Sequence, residues 1–108
     1  MKQHPLIENQ SQFKGILEKA RARTEEMARL GSSFALPSVI APQLDLIAGF
    51  LAENRAPVAE DRARLTIGVL AVRNFEDADP AYAGWLMSLD YAFKNWEKIA
   101  GVNIYGSS

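Results

Sequence analysis

Apolar residues in this chain recur three and four apart, and that spacing, interrupted by proline and glycine, admits helices and little else. Phe13, Ile16, Leu17, Ala20, Thr24, Met27 and Leu30 form one face of a first helix predicted over about residues 12–30, with Ser11 as its N-cap and Gly31 as its C-cap. Its other face carries Glu18, Lys19, Arg21, Glu25, Glu26 and Arg29 and reads as solvated. Val39, Ile40, Leu44, Ile47, Ala48 and Leu51 restore the stripe, so a second helix is predicted over about 38–54. Pro42 lacks a backbone donor and is tolerated most easily in a first turn, which favours a start nearer Ala41. A third helix is predicted over about 59–75, with Glu60 and Asp61 at the positive end of its dipole. Leu65, Ile67, Val69, Leu70, Ala71, Val72 and Phe75 leave it almost no polar face, the pattern of a central helix. Gly68 costs about 1 kcal/mol there relative to alanine, so a close approach by a neighbour is expected at that point.

The clearest start belongs to the last helix, predicted over 80–100, where Asp79 is placed as N-cap and Pro80 as the first helical residue. Tyr82, Trp85, Leu86, Leu89, Ala92, Phe93, Trp96 and Ile99 supply its inner stripe, Gly101 its C-cap, and 102–108 a short tail. Four helices joined by short connections predict an all-α, single-domain antiparallel bundle, and 108 residues suffice for one core.

Chemistry of its own is not expected of this chain. It has no cysteine, which removes disulfides, thiolate metal sites and a cysteine nucleophile together. His4 is the one histidine, beside a proline near the N-terminus, with nothing to hold it as a base or ligand. The glycines form no phosphate-binding loop, and the Glu-x-x-His spacing of a di-metal bundle is missing. No enzyme activity, metal or cofactor is therefore predicted. Residues 1–12 lack the apolar region of a secretory signal, and no unbroken apolar run approaches the roughly 18 to 20 residues of a membrane span, so a cytoplasmic protein without a membrane partner is expected. Net charge is -1, and basic residues alternate with acidic ones in 19–29, which speaks against nucleic acid as a partner.

One compositional asymmetry marks the surface. Between Arg73 and Lys94 there is no basic residue, while Glu76, Asp77, Asp79 and Asp90 fall in that interval and predict a negative surface. Met87 and Tyr91 lie off the inner stripe of the last helix, so they complete a second buried face or form a contact patch.

The segment from Arg64 to Ala83 resembles the core of small immunity proteins of bacterial type VI secretion, in particular the family that neutralises the NAD(P)-hydrolysing effector. Leu65, Ile67, Gly68, Ala71, Arg73, Phe75, Glu76, Asp79 and Pro80 match its Leu-x-Leu-Gly-x-x-Ala-x-(basic)-x-Phe-(acidic)-x-x-Asp-Pro pattern in order. The resemblance implies a protein that binds a cognate toxin domain in the cytoplasm and covers its active site. Glu76, Asp77, Asp79 and Asp90, with Met87 and Tyr91, are then the candidate partner-binding residues, although Asp79 also reads simply as a helix cap. Two alternatives differ in what they would expose: a self-associating adaptor bundle leaves a large apolar face on the monomer, and a small-molecule binder encloses an apolar cavity.

Overall fold

The computed structural model describes residues 7–30, 36–99, 101 and 102. The first helix, α1 (Gln10–Arg29), starts two residues before the expected position because Asn9, not Ser11, is its cap: the Asn9 side chain accepts a hydrogen bond from the Gln12 amide at 2.8 Å. Helix α2 (Leu36–Glu53) likewise starts before both expected positions and carries Pro42 inside it. Pro42 is exposed, so the missing ladder bond lies on the solvent side. The expected Gly31 cap, His4 and most of the 102–108 tail lie outside the described residues.

Helix α2 is long and apolar enough to cross a membrane by length and composition, a possibility that unbroken apolar runs do not reveal, since Asp45 and Glu53 interrupt it. Its Ile40, Leu44, Ile47, Phe50 and Leu51 stripe is instead buried in the core with α1 packed alongside.

The predicted third helix is two helices, α3 (Ala59–Ala63) and α4 (Ile67–Asn74). Leu65 turns into the core between them, and the break is held by a side chain from elsewhere. Gln43 of α2 accepts from the Thr66 and Ile67 amides at 2.7 and 3.1 Å and donates to the Thr66 hydroxyl at 2.9 Å. Those are donors that a new helix start leaves without intrahelical partners. Nor is α4 the central helix, for only Ile67 and Ala71 on it are buried. That place belongs to the last helix, α5 (Pro80–Lys94), which packs against both α1 and α4 and buries Tyr82, Leu86, Leu89, Ala92 and Phe93. Its predicted start holds: the Asp79 carboxylate accepts from the Tyr82 amide, with Pro80 in the first turn. Its predicted end does not. The helix stops at Lys94, and Trp96–Lys98 form a 3-10 turn before Gly101, whose φ of 92° is the left-handed conformation glycine favours.

The result is an all-α helical bundle with no strand among the described residues. Its core is knitted by edge-on aromatic pairs, Phe13–Trp96, Phe50–Phe93 and Phe93–Trp96, that join α1, α2, α5 and the 3-10 turn. Phe75 is only half-buried, stacked edge-on to Tyr82 at 5.0 Å, so Phe75→Ala should cost less than the roughly 3 to 5 kcal/mol of a fully buried phenylalanine.

Arg62, unremarkable in the sequence, ties α3 to the far end of α5. Its guanidinium donates to the Pro57 and Lys94 carbonyls and in a fork to Glu97, at 2.6 and 3.1 Å. The hydrogen bonds from Arg62 hold the Glu97 carboxyl below its usual range. A carboxyl depressed in the folded state contributes stability above its unfolded pKa and loses it as pH falls through the lower folded value. Acidification below about pH 4 is therefore expected to lower the melting temperature more for the parent than for Glu97→Gln. Equal pH profiles for the two would show that the fork contributes nothing.

Candidate functional site

Helices α4 and α5 form an antiparallel hairpin, and its two ends treat the candidate residues differently. At the turn, Glu76 and Asp77 are exposed between the helices. Among the described residues no ion pair engages either carboxylate. Asp79 is partly buried and already engaged. Besides capping α5 it accepts from Arg23 of α1, with Nε and one terminal nitrogen each 2.9 Å from Oδ2. Hydrogen bonding to Asp79 pushes the Arg23 guanidinium above its ordinary pKa. A cation distant in sequence thus removes part of the expected negative field, and the acidic surface contracts to Glu76 and Asp77.

Beneath this pair lies a buried hydroxyl contact, Thr24 to Tyr82 at 2.6 Å. Thr24 gives its own proton to the Ala20 carbonyl, so the Tyr82 phenol is the donor. Burial pushes that phenol above its ordinary pKa. The Asp79 end of α5 is therefore anchored to α1 twice, once by charge and once by this bond.

At the other end of the hairpin Asp90 is buried, not on the outer side of the helix as the acidic interval suggested. Its Oδ2 accepts from the Gly68 amide at 3.0 Å, and its Oδ1 pairs with Lys94 at 3.0 Å. Asp90 therefore caps the start of α4 from the neighbouring helix. Gly68 makes this contact feasible, since a Cβ there would sit 3.0 Å from the Asp90 Cγ. The close approach expected at Gly68 is real, and the approaching group is this carboxylate.

Along the hairpin runs an open groove of about 490 Å³, floored by Val69 and Val72 of α4 and Met87 and Tyr91 of α5, with Arg73 and Lys94 at its edges. Val69 is 54% exposed, Val72 50% and Tyr91 39%, whereas Met87 is half-buried. The structure brings Met87, Asp90 and Tyr91 together here and leaves Glu76, Asp77 and Asp79 outside the lining. Val69, Val72 and Arg73 do not stand out as site residues in the sequence, because a helix continuous from Ala59 would bury that face, whereas α4 exposes it. A second, more polar hollow of about 270 Å³ between α1 and α2 is edged by Arg21 and Asp45, themselves paired at 3.1 Å. Among the described residues no three histidine or carboxylate side chains converge as a metal site.

The hairpin thus offers an apolar strip beside a pair of unpaired carboxylates, an arrangement suited to contact with a protein surface. Residues 12–95 match the family profile described as Tsi6, a span that takes in α3, α4 and α5 as well as most of α1 and all of α2. No curated protein and no solved structure matches the chain.

Proposed function

The chain belongs to the Tsi6 family of type VI secretion immunity proteins, and we propose that it binds a cognate toxin domain of a secreted effector in the cytoplasm and blocks the active site of that domain. The family match across residues 12–95 carries this reading. An inhibitor of this kind needs no reacting group, only a rigid surface that fits the toxin cleft. The matched pattern from Leu65 to Pro80 further supports an NAD(P)-hydrolysing toxin as the target. A cleft that receives a dinucleotide must accommodate phosphates and favours positive charge, and Glu76 and Asp77 present complementary charge on an exposed turn.

Glu76→Lys together with Asp77→Lys tests that assignment. The double reversal is expected to slow association with the cognate toxin domain, with a larger loss at low than at high ionic strength. Neither side chain packs in the core, so the circular dichroism spectrum and melting temperature should hold. Unchanged association rates at both ionic strengths would remove the turn from the interface. The exposed Val69, Val72 and Tyr91 favour a second reading, self-association through the same hairpin, for which sedimentation of the chain alone across a concentration series is the check.

A further inference from the structure

Resting on the toxin-binding reading, we propose that the α4–α5 groove seats an apolar segment of the toxin that carries a carboxylate beside its apolar residues, with that carboxylate meeting Arg73. The lining is mainly apolar and open to solvent, which suits a protruding segment of another protein better than an enclosed small molecule. The edge determines the charge of the occupant. Lys94 is already neutralised by Asp90, while among the described residues Arg73 has no carboxylate partner. Arg73 is exposed, lies one residue from Val72, and lines the groove, so an arriving segment that buries the valines also approaches a free guanidinium. A carboxylate there gains a charge-assisted hydrogen bond, and a lysine or arginine there is repelled.

The footprint then has two signs on one hairpin, positive at Arg73 and negative at Glu76 and Asp77. It would admit a toxin whose basic cleft is flanked by an apolar, acid-bearing ridge and reject one that carries only the cleft. In this arrangement Asp90 does not touch the toxin. It is a positioning residue that holds α4 against α5 through Gly68 and so maintains the groove.

The experiment is titration calorimetry of the parent chain, Val72→Glu, Tyr91→Ala and Arg73→Glu against the cognate toxin domain, with circular dichroism of each variant. All three positions are exposed, so the folds should match. Each variant is expected to bind at least about tenfold more weakly, and the Arg73→Glu loss should shrink as salt is raised. If the parent binds and the three variants bind within about twofold of it, the groove is not the seat, while the immunity reading stands. Tighter binding by Arg73→Glu would mean a basic occupant and overturn the proposal. If the parent instead forms a dimer that the groove variants dissociate, a second copy of the chain is the occupant. A parent chain that does not bind the toxin domain at all contradicts the immunity reading and the proposal with it.

Discussion

Trp96→Ala is expected to destabilise the chain by about 3 to 5 kcal/mol, the cost of removing a large, fully buried aromatic side chain that its neighbours cannot collapse around. The indole sits in the 3-10 turn after α5, with ring centroids 5.8 Å from Phe13 and 6.3 Å from Phe93, and Phe93 in turn lies 5.4 Å from Phe50. One side chain therefore joins the packing of α1, α5 and, through Phe93, α2. In a domain of this size such a loss should lower the melting temperature by well over about 10 °C. Trp85→Ala is the matched control, since Trp85 in α5 is only half-buried and its removal should cost distinctly less. Thermal unfolding of the two variants beside the parent decides it. Equal melting temperatures for Trp96→Ala and the parent would mean that the 3-10 turn does not close the core.

Gly68→Leu is expected to be the second severe change, by about 1 to 3 kcal/mol from overpacking alone. The added Cβ would meet the Asp90 Cγ at 3.0 Å and Cβ at 3.1 Å. Asp90 has little freedom to yield, because its carboxylate is bonded to the Gly68 amide on one oxygen and to Lys94 on the other. Forcing it away also strips the start of α4 of an acceptor. Gly68→Ala supplies a test of sign: helix propensity alone would favour alanine by about 1 kcal/mol, whereas the contact predicts net destabilisation. Chemical denaturation of both variants measures it. A Gly68→Ala chain more stable than the parent would show that Asp90 moves aside freely.

What could be read from the sequence was decided locally. The Asp79–Pro80 start of α5 needs only a capping carboxylate and a proline in the first turn, both visible in two adjacent residues. Most of the apolar stripes of α1, α2 and α5 is legible for the same reason, since period identifies a buried face, but Leu30 and Val39, assigned to those stripes, are 72% and 45% exposed. The break between α3 and α4 is not legible. It depends on Gln43, twenty-three residues upstream of Thr66, and no proline or glycine between Ala59 and Ile67 marks it. A single continuous helix would be the central one and would bury Val69 and Val72, whereas α5 holds that place and about half of each valine is exposed.

The candidate site was legible in part. Met87 and Tyr91 stood out because they fall off the inner stripe, and they do line the groove. The ion pairs of Asp79 and Asp90 were not legible, because their cations, Arg23 in another helix and Lys94 one turn on, become neighbours only in the folded chain. A carboxylate four residues before a lysine was the available hint for Asp90, although such pairs are usually surface features. Arg62 offered no hint at all, since its acceptors are two backbone carbonyls and a glutamate thirty-five residues away.

The immunity reading is tested most directly by growth of cells that express the cognate toxin domain, with and without this chain, together with isolation of any complex. The account predicts that the chain restores growth, that it forms a stable complex with the toxin domain, and that the complex lacks the toxin's activity in vitro. Cells that die equally in its presence, with no complex recovered from soluble and intact partners, would contradict it.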